Sequence, residues 1–311
     1  MTSDPDPGPG SRRDPDEEFE HHRRLLVGVA YRILGSVSDA EDVVQETWLR
    51  WSTVDAAGVR DPRAFLVTAT SRLALNALRA QRNRREKYAG PWLPEPIRTS
   101  DDDVSANGDP AEPVLLAESV SMAFLVVMES LTPLERVVFV LHDLFGFEHA
   151  EIARAVERSE PAVRQLTSRA RQHVQERRPR SVPDPAEHAR VTTAFMHAAV
   201  NGDVQALLDV LAPDVVVITD GGGATKAALR PIHGADKAAR FLAAISHDAV
   251  GATWTPAALN GRPGVLVYFG DQLIGAVDLD TGDGQVNTVR VQLNPAKLGG
   301  VAAGQGPEPS N

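Results

Sequence analysis

Two proline-rich stretches, GPWLPEPIRTSDDDVSANGDPAEP (90–113) and RPRSVPDPAE (178–187), cut this chain into three pieces. Proline fixes φ and has no amide hydrogen, so neither stretch can continue a helix or run as a central strand. The first stretch is also acidic, the composition of a linker. On either side of it, residues 18–88 and 114–178 repeat apolar side chains at helical spacing. Beyond the second break two helices are expected (187–201 and 204–211), then short strands at VVVIT (215–219), GVLVYF (264–269), QLIGAVDL (272–279) and QVNTVRVQL (285–293). The expected organisation is a disordered tail (1–17), a helical domain (18–88), a linker (89–113) and a second helical domain (114–178). A short linker (179–186), an α+β domain (187–298) and a disordered tail (299–311) complete it.

Composition narrows the functions open to such a chain. It has no cysteine, which removes disulfides, thiolate metal sites and cysteine nucleophiles. No apolar run reaches the length of a membrane span and the N-terminus has no apolar signal core, so a cytoplasmic protein without membrane contact is expected. Nothing in the sequence calls for a metal or cofactor. The net charge of −10 argues against a nucleic-acid partner until it is divided along the chain. Arg158 to Arg180 carries seven arginines against two glutamates, and Arg72 to Lys87 carries six basic residues against one. Local field outweighs net charge for phosphate contact.

The second helical domain contains EHAEIARAVERSEPAVRQLTSRARQHV (148–174). A short helix with an apolar face at Ile152, Ala153 and Val156 meets a tight turn, where Ser159 can cap a second helix. Val163, Leu166, Ala170 and Val174 then face inward and leave Arg164, Gln165, Ser168, Arg169 and Arg171 outward. Those side chains hydrogen-bond base edges and phosphates, and the pattern is a helix-turn-helix.

In the first domain, Gly35 ends one helix and Ser38 is the expected cap of the next, SDAEDVVQETWLRW (38–51). Ala40, Val43, Val44, Thr47, Trp48 and Trp51 form its expected buried stripe. Asp42, Gln45, Glu46 and Leu49 face away, an acidic surface with one apolar anchor that suits a basic partner. Asp61-Pro62 opens a long helix to Tyr88 that is expected to bury Leu66, Ala69, Leu73, Ala77 and Ala80. It projects Arg72, Asn76, Arg79 and Arg82, a row suited to opened DNA.

Together YRILGSVSDAEDVVQETWLRW, DPRAFLVTATSRLALNALR and the helix-turn-helix resemble the extracytoplasmic-function sigma factors of bacterial RNA polymerase, over roughly residues 18–175. The resemblance implies two all-α sigma domains, regions 2 and 4, with core RNA polymerase and promoter DNA as partners. Asp42, Gln45, Glu46 and Leu49 would meet the polymerase. Arg72, Asn76, Arg79 and Arg82 would read the −10 element, Arg72 standing where many relatives have asparagine. Arg164, Gln165, Ser168, Arg169 and Arg171 would read the −35 element.

The extra C-terminal third resembles the SnoaL-like domains, cone-shaped α+β barrels that include enzymes and non-enzymes. WLPEP (92–96), DGGG (220–223) and NPAKL (294–298) are similar to the sigma-J-like group, whose extension is thought to act in cis, so no separate anti-sigma factor is expected. A backbone-exposed loop, Asp220, Gly221, Gly222 and Gly223, is expected to contact either the first sigma domain or the linker residues Trp92, Leu93, Pro94, Glu95 and Pro96, with Asp220 and Lys226 at its ends fixing that segment by charge. That loop lacks the GKS or GKT of a phosphate cradle. The alternative is an enzyme or small-ligand sensor fused to a DNA-binding module, with Asp220, His233, His247 and Asp278 as acid–base candidates by residue type alone.

Overall fold

The computed structural model describes residues 15–55, 58–99, 121–177 and 184–302. The two cuts in the chain's apolar periodicity separate three packed units. In the first, α1 (Pro15–Leu34), α2 (Val37–Trp51) and α3 (Pro62–Arg85) pack pairwise. Asp61 caps α3 by accepting from the Ala64 N–H at 2.9 Å, with Pro62 at its first position. The cap of α2 is Ser36, two residues earlier than expected, accepting from Asp39 N at 3.1 Å. The helical region also begins earlier, at Pro15, whose carbonyl accepts from the Trp51 indole at 2.7 Å.

The second unit holds α4 (Met122–Met128), α5 (Pro133–Phe139) with a π turn over Val140–Leu144, α6 (His149–Val156) and α7 (Glu160–Arg177). Its apolar side chains do not form a core of their own. Val138, Leu141, Ile152 and Val163 join Leu26, Ile33, Leu66 and Leu75 in one continuous buried cluster. The two helical domains therefore share a core. The expected residues 114–120 and most of the 89–113 linker lie outside the described residues.

In the third unit, α8 (Pro185–Val200), α9 (Val204–Val210) and α10 (Ala235–Asp248) cover one face of a six-stranded sheet. Its strands are β1 (Leu211–Asp220), β2 (Ile232–His233), β3 (Ala252–Leu259), β4 (Arg262–Phe269), β5 (Gln272–Gly282) and β6 (Gln285–Gln292). The order β2-β1-β6-β5-β4-β3 leaves β2 and β3 as edges, so the sheet is open and not the closed barrel expected. It is also mixed, because β1 runs parallel to β6. Strand β3 and helix α10 have no counterpart in the expected elements. Alternation divides the sheet cleanly: Val265, Val267, Val277, Leu279, Val289 and Val291 face the helices. Leu266, Tyr268 and Ala276 face the other way, onto Leu298 and Val301. Val301 lies in α11 (Gly299–Ala302), inside the expected disordered tail.

A shared core predicts shared unfolding. Leu141→Ala should cost about 2–5 kcal/mol, and both helical domains should lose structure in one calorimetric transition. Separate transitions for the two domains would contradict the common core.

Candidate nucleic-acid interface and linker clamp

The turn between α6 and α7 is set by Glu157, which adopts a left-handed φ of 55°, and by Ser159, whose hydroxyl accepts from Ala162 N at 3.4 Å. Val163, Thr167, Ala170 and Val174 are buried. Thr167 takes the position expected of Leu166, which is half-buried; its hydroxyl donates to the Val163 carbonyl at 3.0 Å. Arg164, Gln165, Ser168, Arg169 and Arg171 are all exposed along one face. Arg164 pairs with Glu160 one turn back and Arg171 with Asp143 at 2.6 Å. A positive, polar helix face is thus presented to solvent.

Arg72, Asn76, Arg79 and Arg82 are exposed on α3. The buried arc of that helix is rotated from the expected one. It runs through Leu66, Thr70, Ala74, Leu78 and Gln81 and through Val67, Ser71 and Leu75, while Ala80 is exposed. The reason is that α3 is wedged between α1 and α2 on one side and the second helical unit on the other. Polar Thr70 is tolerated because its hydroxyl meets that of Thr47 at 3.1 Å.

Arg72 is engaged. Its Nε donates to the Ala155 carbonyl at 3.0 Å and its Nη2 to the Arg154 carbonyl at 2.8 Å, with Glu157 at 3.5 Å. These carbonyls belong to the last turn of α6, where acceptors lack helical partners and the dipole is negative. An arginine expected to face DNA therefore caps the first helix of the helix-turn-helix.

On the outer face of α2, Asp42, Gln45 and Glu46 are exposed, Leu49 is 48% exposed, and Glu46 pairs with Arg50 at 3.2 Å. Trp48, expected in the buried stripe, is 37% exposed beside Leu49. Among the described residues the helix packs mainly against α1 and α3, and its apolar arc ends before Trp48.

The linker residues next to α3 are bonded on both sides. Asp220 is fully buried at the end of β1. Its Oδ1 accepts from the Tyr88 hydroxyl at 2.6 Å and from Gly222 N at 3.0 Å. Its Oδ2 accepts from Leu93 N at 2.8 Å and from the Lys297 ammonium at 2.7 Å. Lys297 also donates to the Leu93 carbonyl at 2.8 Å and lies 4.0 Å from the Trp92 ring centroid. Burial pushes its ammonium down to about 8, opposed by Asp220. The cation on Asp220 is Lys297, while Lys226 is exposed in the loop.

The glycine loop is less open than expected, since Gly221 is buried. A Cβ on Gly221 would lie 2.4 Å from the Thr225 carbonyl oxygen, and one on Gly222, at φ 60°, 2.3 Å from the Asn294 amide nitrogen. Gly223 faces Ala89. The glycines let the loop close down around Asp220 and Asn294.

Further along, Glu95 holds the other side. Its carboxylate accepts from Val37 N (2.7 Å), Ser38 N (3.3 Å), and the hydroxyls of Ser36 (2.8 Å) and Ser38 (3.2 Å). It caps the amides that open α2, where an anion is favoured. Tyr31 donates to the Glu95 carbonyl at 2.8 Å and accepts from Asn260 at 2.8 Å. Residues Ile97 and Thr99 then bond beside β3, through Asn260 N to Ile97 O at 2.9 Å and Thr99 N to Ala258 O at 3.0 Å. Pro94 accepts from Gln292 at 3.3 Å.

The acid–base candidates do not converge. Asp220 is in the clamp, and His233 and His247 are exposed. Asp278 faces away from the covering helices and pairs with Arg290 at 2.5 Å; burial pushes its carboxyl up, opposed by that guanidinium. The cavity between sheet and helices is about 70 Å³, apolar, and walled by Phe195, Leu242, Trp254 and Val277. Sequence reasoning missed Tyr88, Asn260 and Lys297; only NPAKL hinted at the last.

Models of Sigma-70 region 2 and Sigma-70 region 4 match residues 19–84 and 121–174. The chain is 46% identical over 228 residues to the ECF RNA polymerase sigma factor SigJ of Mycobacterium tuberculosis, spanning 72% of this chain and 71% of that one. It is 35% identical over 292 residues to the probable ECF sigma factor SigI of the same species, spanning 93% and 96%. The crystal structure of M. tuberculosis SigJ superposes with a TM-score of 0.71 at 37% identity, covering 92% of this chain and 99% of that chain. Two sigma domains, the second holding the helix-turn-helix, are followed by a third domain of helices on an open sheet. The chain belongs to the extracytoplasmic-function family of RNA polymerase sigma factors.

Proposed function

We propose that this alternative sigma factor, which directs transcription initiation, is held closed by its own C-terminal domain acting through the linker. The observation that carries the reading is the double bonding of one peptide. Between Tyr88 and Thr99 it is tied to α1 and α2 through Glu95 and to the sheet through Asp220 and Asn260. The closed form conflicts with promoter contact. The −10 and −35 elements are separated by about 25 base pairs, roughly 80 Å of duplex, whereas Arg72 on region 2 touches α6 of region 4. Both elements can be read only after region 4 leaves region 2.

In the open form Asp42, Gln45, Glu46 and Leu49, joined by Trp48, meet core polymerase. Arg72, Asn76, Arg79 and Arg82 contact the opened −10 element, and Arg164, Gln165, Ser168, Arg169 and Arg171 the −35 element. The partners are core RNA polymerase and promoter DNA in the cytoplasm; among the described residues no helix is long and apolar enough to cross a membrane. In this reading the third domain takes the place of a separate anti-sigma factor and does not act as an enzyme, which the largely apolar lining of the cavity between sheet and helices supports.

Asp220→Asn weakens the pair with Lys297 and the bonds from Tyr88 and Leu93. It should destabilise the clamp by about 3–5 kcal/mol, the cost of breaking a buried ion pair, and raise run-off transcription with core polymerase several-fold. Equal or lower transcription at unchanged core binding would argue that the clamp does not restrain the protein.

Because the chain has no cysteine, Glu41→Cys and Arg177→Cys accept a fluorophore pair without background. Energy transfer should fall when core polymerase and promoter are added. An unchanged signal in an active initiation complex would mean that regions 2 and 4 stay together.

A further inference from the structure

Region 2 and region 4 also meet at a second seam, away from Arg72, where α3 faces the turn between α4 and α5. A pocket of about 200 Å³ opens there, lined by Arg82, Arg85, Glu129, Ser130, Thr132 and Arg136. Its charges do not balance. Glu129 is the only carboxylate in the lining and is shared by two guanidiniums, Arg85 Nη1 and Arg136 Nη1. Arg82 adds a third cation, whose guanidinium has no hydrogen-bond partner among the described residues, so the lining carries a net charge of +2.

Two of these cations are withdrawn from water. Arg136 is 1% exposed; its Nε donates to the Arg32 carbonyl at 3.3 Å, while its Nη2 is buried with no hydrogen-bond partner. Arg85 is stacked 3.4 Å from the Trp92 ring centroid and donates through Nη2 to Gln81 at 3.1 Å and to the Leu34 carbonyl at 3.3 Å. Burial lowers its pKa, opposed by Glu129. A buried cation without a full complement of acceptors is costly, and two guanidiniums on one carboxylate leave one charge uncompensated. Aromatic stacking on Trp92 offsets part of that cost but brings no anionic oxygen.

We propose that this seam is a binding site for a phosphate-type dianion: inorganic phosphate, a phosphomonoester or pyrophosphate end, or a phosphate of a nucleic-acid backbone. Guanidiniums match phosphate oxygens bidentately, and a dianion neutralises the surplus charge. Arg82 is the gate, exposed at the rim and able to fold over a bound oxyanion. Arg85 and Arg136 form the floor. Because α3 belongs to region 2 and the α4–α5 turn to region 4, a bound oxyanion bridges the two regions. This site stands whether or not the linker clamp governs transcription, since its evidence is the charge and shape of the seam.

Titration of the full chain with inorganic phosphate by calorimetry, at ionic strength held constant with sodium chloride, tests it. Saturable binding to one site is expected, with a rise in melting temperature that follows occupancy. Arg82→Ala, at an exposed position that leaves the core intact, should weaken the affinity at least tenfold. Competition then names the source. Displacement of phosphate by a short oligonucleotide of arbitrary sequence assigns the site to nucleic-acid backbone; no displacement assigns it to a free phosphate or phosphomonoester. Heats and melting temperatures no different from those in sodium chloride would overturn the site, as would an Arg82→Ala variant that binds phosphate like the parent.

Discussion

A single buried carboxylate organises the contact between the sigma domains and the third domain. Asp220 has no exposure and receives four donors: the Tyr88 hydroxyl, the Leu93 and Gly222 amides, and the Lys297 ammonium. Burying a carboxylate costs several kcal/mol unless its lone pairs are filled. Tyr88 and Leu93 flank the start of the linker, so the linker cannot leave without stripping donors from the charge. Lys297 has the complementary problem and the same solution. The glycines of TDGGGATK serve this arrangement, because any side chain at Gly221 or Gly222 would collide with the atoms that close around Asp220 and Asn294.

The linker repeats the device on its other side. Glu95 places a carboxylate on the amides that open α2, and its four donors all come from Ser36, Val37 and Ser38. A surface capping residue contributes about 0.5–2 kcal/mol, and one that is nearly buried ties its own peptide to the helix with comparable strength. The prolines of WLPEP lower the entropy lost when that peptide is ordered. Short-range chemistry thus fixes a long-range relation: α2 of region 2 and β1 of the third domain are held by residues only two apart, Leu93 and Glu95.

Arginine on this protein has two competing uses. Arg72 is at once part of a face suited to DNA and the cap on α6. Arg85 and Arg136 crowd one glutamate at the same interdomain seam where exposed Arg82 stands. Arg72 cannot hold the Arg154 and Ala155 carbonyls and an external phosphate at once, whereas Arg85 and Arg136 share Glu129 and still leave surplus charge. The contact between regions 2 and 4 thus joins charged bonds to a shared apolar core. Contacts of this kind shift with ionic partners more readily than apolar packing does.

Periodicity alone determined the helical halves, the helix-turn-helix and four of the six strands, because each depends on side chains near in sequence. The exposed rows on α7 and α2 were legible for the same reason: a polar face at 3.6-residue spacing needs no knowledge of neighbours. Tertiary structure decided the rest. The buried arc of α3 rotated because a second helical unit covers a side that a lone three-helix domain would leave wet, and Trp48 fell outside its stripe because, among the described residues, α2 packs mainly against α1 and α3. The open, mixed sheet followed from pairing β1 with β6 across more than sixty residues, a choice no local pattern encodes. Asp220 and the linker were legible as a contact, but its cation was not. Lys226 is six residues from Asp220 in the chain and Lys297 is seventy-seven, yet burial beside Trp92 and Tyr88 gives the distant lysine the stronger field and the fixed geometry that a charge pair requires.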